Sequence, residues 1–184
     1  MTTVTVRMAE QRDARTIARI RVDAWRAAYA RLISSAVLDQ LDAEAEGDRR
    51  VANWDRGHAD PRRVDVIAEV DGVAAGWAAC GASDDQSSPG GGKLFALYVS
   101  PAHWSTGVGH ALMCDVEARL RRAGHARAHL WVLAGNTRAA DFYERHGWHE
   151  DGGVMTDDRV IGGHTAFTLH ERRRVRDLRL PPSP

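Results

Sequence analysis

Residues 94–148 constrain the fold more than any other part of the sequence. The apolar run Leu97-Tyr98-Val99 ends at Ser100-Pro101, which predicts a buried strand that stops at the proline. The glycine turn Thr106-Gly107-Val108-Gly109 follows and opens onto a pattern typical of an amphipathic helix. Because the first N–H groups of a helix have no intrahelical partner and the helix dipole is positive there, this arrangement predicts a site for a phosphate-bearing ligand.

Two common phosphate motifs do not fit this turn. A dinucleotide fingerprint needs a third glycine where the chain has Leu112. A P-loop needs lysine and then serine or threonine after its last glycine, but Gly109 is followed by His110-Ala111. The ligand therefore has to be of another phosphate-bearing class.

Five segments, in this order and spacing, resemble the GNAT N-acetyltransferase superfamily, and the resemblance extends from Val4 to about Leu169. The segments are Leu97-Tyr98-Val99-Ser100-Pro101, Gly107-Val108-Gly109-His110-Ala111-Leu112, Leu130-Trp131-Val132, Asn136-Thr137-Arg138-Ala139-Ala140 and Phe142-Tyr143-Glu144-Arg145-His146-Gly147-Trp148. The resemblance implies an α+β (mixed α/β) fold with a central, mostly antiparallel twisted sheet and helices on both faces. It also implies that two parallel strands, Lys93–Val99 and Arg127–Val132, splay apart to admit a coenzyme.

The remaining elements are predicted from periodicity and from turn residues. The predicted strands are Val4–Met8, a hairpin over Val64–Cys80 that turns at Asp71-Gly72, and an antiparallel pair from Trp148 to His170. The predicted helices run from an Asp13 N-cap to about Ala30, over the region Ser34–Trp54, over Gly107–Ala123, and from a Thr137 cap to His146-Gly147. Residues 81–92 are predicted to form a mobile loop. We expect residues 1–170 to form one domain and residues 171–184 to form a solvated tail.

Composition limits the choice of partners and of compartment. Lysine and arginine total 25, as do aspartate and glutamate, so no net charge favours nucleic acid. The sequence has no apolar run long enough to span a membrane and no apolar signal core near its start, so we expect a cytoplasmic protein. Cys80 and Cys114 lack a metal or redox spacing and are expected to be buried apolar residues, and no metal site is expected. The composition does not decide whether the protein forms a homodimer.

The resemblance implies acetyl-coenzyme A as co-substrate, with its pyrophosphate on the backbone amides of the loop before the helix. The residues implied to bind the coenzyme are Leu97, Tyr98, Val99, Trp104, Ser105, Thr106, Gly107, Val108, Gly109, His110, Asn136, Ala139 and Tyr143. Trp104 departs from the family, which commonly has arginine or glutamine at that position. Asn136 matches the asparagine that binds the pantetheine arm, and the alternative is an Asx turn before the helix.

Tyr143 matches the family tyrosine that protonates the departing thiolate, and the alternative is a structural aromatic residue. The general base is less clear, because Lys93 stands where many relatives have an acid. Candidates are Asp84 and Asp85, with Glu69 and His103 as further alternatives, and a base acting through water or no base at all also fits.

The resemblance does not identify the acceptor, which is expected to be a small-molecule amine or a protein N-terminus. We expect Trp25, Tyr29 and Lys93 to line its site, and the lysine charge favours an anionic or weakly charged acceptor over a polyamine. Two other functions remain open: a non-catalytic sensor that binds acyl-coenzyme A, and a transferase for longer acyl groups.

Overall fold

A computed structural model describes residues 3–85, 88, 90–161 and 164–180. The strands are β1 (Val4–Met8), β2 (Val64–Val70), β3 (Val73–Ala82), β4 (Gly92–Val99), β5 (Arg127–Leu133), β6 (His149–Ile161) and β7 (His164–Asp177). The helices are α1 (Ala14–Ala28), α2 (Ser35–Leu38), α3 (Ala43–Ala52), α4 (Trp54–Gly57), α5 (Val108–Arg122) and α6 (Thr137–Arg145).

The seven strands form one sheet in the order β1-β2-β3-β4-β5-β7-β6. Every neighbouring pair is antiparallel except β4 and β5, which are parallel. These two strands pair only at Gly92 with Ala128 and at Lys93 with His129, and beyond that point they separate. The predicted α+β fold with a splayed parallel pair is therefore confirmed.

Helices cover both faces of the sheet, as predicted. On one face, α5 buries Leu112 and Val116 against a cluster that includes Val66 of β2. On the other face, Ile17 of α1 packs with Ile67 and with residues of β3. Adjacent residues of a strand point to opposite faces, so Val66 and Ile67 show directly that α5 and α1 lie on opposite sides.

Two predicted helix caps need correction. Asp13 does precede α1, but its carboxylate accepts hydrogen bonds from the Glu10 N–H and the Arg7 guanidinium rather than from the helix. Thr137 is the first residue of α6, and the cap is Asn136, whose Oδ1 accepts from the Ala139 N–H at 3.2 Å.

The expected tail from Glu171 is wrong for residues 171–177. These residues belong to β7 and pair with the whole of β5, from Leu133 opposite Glu171 to Arg127 opposite Asp177. The expected loop over 81–92 is also shorter, because Gly81 and Ala82 belong to β3 and Gly92 belongs to β4. In the described part of the chain, no helix combines the length and the apolar character needed to cross a membrane.

Candidate active site

A cavity of about 740 Å³ opens where β4 and β5 separate. Its walls come from α1, β4, the loop before α5, β5, α6, β6 and β7. There the backbone N–H and C=O groups of β4 and β5 do not hydrogen-bond to each other. An extended polar chain can therefore bind between the two strands in the way that a further strand would.

The loop before α5 lies at one end of this cavity. Gly107 has φ +91° and Ser105 has φ +64°, so the chain turns through two left-handed residues before the helix starts. The Trp104 indole N–H donates to the Val99 carbonyl oxygen at 2.9 Å and ties the loop to the end of β4. The first-turn N–H groups of α5 follow directly, and N–H groups at this position have no intrahelical acceptors.

The two loop glycines are needed for different reasons. Gly107 supplies a backbone conformation that side chains disfavour. Gly109 supplies space, since a Cβ there would lie 3.3 Å from the Phe142 ring and 3.7 Å from Val99. A larger side chain at position 109 would therefore push α6 away from α5 or project into the cavity.

Arg138 of α6 brings a cation to the loop from a distant part of the chain. Its guanidinium lies 4.0 Å from the centre of the Trp104 ring, and its Nη2 lies 3.4 Å from the Ser105 hydroxyl. Trp104, which stands where arginine or glutamine was expected from the resemblance, thus stacks against an arginine that the sequence analysis did not select. In the sequence, the only indication of this role is that Arg138 is a basic residue two positions after Asn136.

Two histidines border the same end of the cavity. The Nδ1 of His146 lies 2.8 Å from the Phe142 carbonyl, so it donates, and its Nε2 faces Nδ1 of His110 at 3.0 Å. Burial lowers the pKa of His146, and the nearby His110 adds to this effect. His146 therefore adds little positive charge at neutral pH.

Most residues expected to bind the coenzyme line this cavity. They are Leu97, Tyr98, Val99, Trp104, Ser105, Gly107, Gly109, His110, Asn136, Ala139 and Tyr143. The side chains of Thr106 and Val108 do not: the Thr106 hydroxyl donates to the His103 carbonyl at 2.7 Å, and Val108 is buried in the core. These two positions can offer only their backbone N–H groups. Asn136 caps α6 through its carbonyl oxygen, which leaves its amide N–H groups for a ligand.

Tyr143 lies at the inner wall, in the core cluster of α5, and only 8% of its surface is exposed. Burial raises the pKa of its phenol, and the neighbouring Tyr98 adds to this effect. The hydroxyl therefore stays protonated at neutral pH, as a proton donor requires.

Two aromatic side chains from α1 and its C-terminal end also line the cavity. They are Trp25 and Tyr29, whose rings meet edge to face with centres 4.8 Å apart. The Trp25 indole N–H donates to the Tyr98 hydroxyl at 3.0 Å. Both residues also pack in a core cluster with Leu133 and Leu169, so they combine a packing role with a surface in the cavity.

Neither predicted base is among the residues that line the cavity. Asp84 is exposed and pairs with the Lys93 ammonium at 2.6 Å, which lowers the pKa of the carboxyl and makes it a weaker base. Asp85 lies 3.6 Å from the Arg173 guanidinium and 3.8 Å from His129. Lys93 does line the cavity, as expected, but its charge is engaged by Asp84.

The further alternatives, Glu69 and His103, are also absent from the lining, and Glu69 pairs with Arg7 at 2.8 Å. Two acids that sequence reasoning did not select line the cavity instead, Asp157 of β6 and Glu171 of β7. Glu171 was missed because residues from 171 onwards were taken for a tail. Within the described ranges, no group of three histidine, cysteine or acidic side chains is arranged to hold a metal ion.

Comparison with known proteins supports the same family. Solved structures with a similar fold include PaiA N-acetyltransferase from Thermoplasma acidophilum in complex with coenzyme A (TM-score 0.67, 16% identity, 93% of this chain and 98% of that chain). Another is yncA from Salmonella typhimurium with its cofactor acetyl-CoA (TM-score 0.69, 21% identity, 99% of this chain and 98% of that chain). At these identities, the similarity shows the fold alone.

Among curated sequences, the uncharacterized N-acetyltransferase YuaI of Bacillus subtilis is 28% identical over 133 residues, which cover 72% of this chain and 73% of the relative. An uncharacterized N-acetyltransferase of Mycobacterium tuberculosis is 36% identical over 93 residues, which cover 50% of this chain and 57% of that relative. The model of the acetyltransferase (GNAT) family matches residues 17–148, most of the chain. This chain therefore belongs to the GNAT family and is an N-acetyltransferase of the acyltransferase class.

Proposed function

We propose that the protein transfers an acetyl group from acetyl-coenzyme A to the primary amine of a small molecule or of a protein N-terminus, by direct attack of the amine. The observation that carries this proposal is the cavity between the splayed strands, which has the loop of Trp104–Gly109 at one end and Tyr143 in its wall. The proposal also places the enzyme in the cytoplasm of a bacterium, because its curated relatives come from bacteria and because Cys80 and Cys114 are not joined in a disulfide.

The loop fits the pyrophosphate of the coenzyme. The left-handed turn at Gly107 directs the first N–H groups of α5 towards the cavity end, where the helix dipole favours an anion. Arg138 adds a full positive charge at the same end. The strand edges from Leu94 onwards then offer backbone groups to the amides of the pantetheine arm.

Tyr143 is proposed to be the general acid. When the amine nitrogen bonds to the acetyl carbonyl carbon, the carbon–sulfur bond breaks and the sulfur leaves as a thiolate. The Tyr143 hydroxyl gives that thiolate a proton, and the proton that the attacking nitrogen must lose restores the phenol. A buried phenol suits this role because it does not ionise before the reaction.

The test is Tyr143→Phe, which removes the hydroxyl and keeps the ring in the core. We expect coenzyme affinity to stay within twofold of the parent and turnover to fall about 10²-fold, in the usual range for a lost general acid. Turnover within twofold of the parent would show that Tyr143 is only a structural aromatic residue.

The alternative of a non-catalytic sensor has one observation in its favour: neither Asp84 nor Asp85 lines the cavity, and both are paired with cations. A sensor binds coenzyme A without releasing it as free thiol from acetyl-coenzyme A. An assay of thiol release with a panel of amines separates the two functions, because the sensor gives no amine-dependent release at any concentration.

A further inference from the structure

A second cavity, of about 470 Å³, lies on the face of the sheet that α1 covers. Its wall comes from α1, α3, α4, the segment that joins α4 to β2, and the start of β2. None of the residues that line it also lines the coenzyme cavity. Its volume is within the range of pockets that hold small molecules, so we consider which ligand its side chains fit.

Positive charge dominates the lining of the second cavity, which contains four arginines and two acids. Arg21 and Arg50 both pair with Glu46, at 2.5 Å and 3.0 Å. Arg49 and Arg63 line the same cavity, and within the described ranges neither guanidinium has an acidic partner. The second cavity therefore favours a ligand that carries carboxylates or other anionic groups.

The Arg63 guanidinium is placed by an aromatic ring rather than by an acid. Its central carbon lies 4.8 Å from the centre of the Phe95 ring. Arg63 stands two residues before Asp65 of β2, and both residues line the second cavity. A cation without an acidic partner and a carboxylate thus lie in the wall of one cavity.

Asp65 is a buried acid that the fold leaves partly unsatisfied. Only 5% of its surface is exposed, and its Oδ1 has no hydrogen-bond partner among the described residues. Its Oδ2 lies 3.5 Å from Nε2 of His58, whose Nδ1 donates to the Trp54 carbonyl oxygen at 2.8 Å. A neutral His58 therefore has its lone pair, not a proton, at Nε2. Because a buried carboxylate without a donor is unfavourable, a ligand that donates hydrogen bonds would be stabilised at Asp65.

We propose that the second cavity binds a free acidic α-amino acid, with its ammonium on Asp65 and its two carboxylates on Arg49 and Arg63. The ammonium supplies the donors that the buried carboxylate lacks, and guanidinium–carboxylate pairs form strong charge-assisted hydrogen bonds. The Trp54 ring, which stacks on His58 with centres 4.1 Å apart, provides an apolar surface for the methylene groups. A simple dicarboxylate fits less well, because its charge is repelled by Asp65 and it brings no donor.

Three ligands with the same five-carbon chain separate these contacts. L-Glutamate has the ammonium and both carboxylates, glutarate lacks the ammonium, and L-glutamine lacks the charge of the side chain. Each ligand is titrated by calorimetry into the full chain in the presence of excess coenzyme A. The excess keeps the ligands from binding in place of the coenzyme.

The variants are Asp65→Asn, Arg63→Gln and the control Arg62→Gln. Arg62 is a matched control because it is adjacent in sequence to Arg63, exposed and paired with Asp60 at 2.8 Å, and because it does not line the second cavity. Arg63 is exposed, so Arg63→Gln is expected to keep the fold and carries the test even if Asp65→Asn unfolds the protein.

In the parent, we expect L-glutamate to bind about tenfold more tightly than glutarate or L-glutamine. Asp65→Asn is expected to raise the Kd for L-glutamate about tenfold and to lower the Kd for glutarate, since the repulsion between two anions is removed. These opposite responses cannot arise from a general loss of structure. Arg63→Gln is expected to raise the Kd for both ligands about tenfold, whereas Arg62→Gln should change it by less than about twofold.

The inference is overturned if L-glutamate does not bind at concentrations up to about 10 mM, or if glutarate or L-glutamine binds as tightly as L-glutamate. It is also overturned if Arg63→Gln leaves the Kd for L-glutamate unchanged, or if Arg62→Gln weakens binding as much as Arg63→Gln. The assay of thiol release tests acetyl transfer separately. The amino-acid site stands if no amine gives thiol release, and acetyl transfer stands if L-glutamate does not bind.

Discussion

Replacing Arg138 by glutamine tests whether α6 supplies the cation that the coenzyme loop lacks. Between Ser100 and Gly109 the only basic residue is His103, and it does not line the cavity. Arg138 lies at the loop instead, 4.0 Å from the centre of the Trp104 ring. Arg138→Gln keeps a planar polar group that can rest on the same ring and removes the charge.

The size of the effect is worked for a phosphate oxygen in direct contact with the guanidinium and is limited by the exposure of Arg138. Two unit charges 4 Å apart attract by about 4 kcal/mol at an effective dielectric constant of 20 and by about 1 kcal/mol in water. Because Arg138 is exposed, we expect its loss to cost a binding free energy near the lower limit, about 1–1.5 kcal/mol. We therefore expect the Kd for coenzyme A to rise about tenfold at low salt.

The assay is calorimetric titration of coenzyme A at low and at high ionic strength. Because salt screens an exposed charge, the gap between parent and Arg138→Gln should narrow as salt increases. Arg122→Gln is the control, since Arg122 is an exposed arginine at the end of α5 and is not among the residues lining the cavity. The assignment fails if Arg138→Gln binds within twofold of the parent at low salt, or if Arg122→Gln loses as much affinity.

Coenzyme A at 100 times its Kd should stabilise the parent by about 2.7 kcal/mol, a rise in Tm of roughly 5–10 °C for a chain of this size. Gly109→Glu should abolish that rise, because its side chain would meet Phe142 or the pyrophosphate, whereas Gly57→Glu, with open space around its Cβ, should keep it. The Arg7 guanidinium lowers the pKa of Asp13 below its usual value of 3.8, so the ion pair stabilises the fold above that pH and its contribution is lost as the pH falls through the lower folded value. Urea unfolding should therefore find Asp13→Asn about 2 kcal/mol less stable than the parent at pH 7, with the gap narrowing as the pH falls below 3.8; a gap that does not narrow with falling pH would contradict the assignment.

The elements that sequence reasoning predicted well are those specified by local pattern. The hairpin turn at Asp71-Gly72 is an example: both residues have positive φ, 50° and 81°, as a two-residue turn between antiparallel strands requires. The glycine turn at Gly107 and the apolar stripe of α5 are also specified locally, and the resemblance then supplied the splay of β4 and β5.

The features that sequence reasoning missed depend on contacts between distant residues. The pairing of Lys93 with Asp84 joins two strand ends across a loop, and the stacking of Arg138 on Trp104 joins α6 to the loop before α5. No periodicity within one segment encodes either contact. For the same reason, the sequence could not show that Asp84 and Asp85 are absent from the lining of the cavity.

β7 is the element whose structure is least predictable from its own residues. Glu171 is followed by three arginines, a run that is typical of a solvated segment. In the sheet, however, this run lies between β5 and β6, and a buried charge is tolerated there only if it is paired. Arg174, nearly buried, donates to Glu144 at 2.5 Å and to the Trp148 carbonyl at 3.0 Å.

The acids that pair with Arg172, Arg173 and Arg174 lie in α6, in β6 and, for Asp85, just after β3. No local pattern in the sequence brings these residues together, so only the folded sheet shows how Arg174 can be buried. The same pairing fixes the register of β7, because a shift of one residue would turn each arginine away from its acid. Glu171 is in this register, opposite Leu133 at the end of β5. The charges that made the segment look like a tail therefore form the contacts that hold Glu171 in the lining of the cavity.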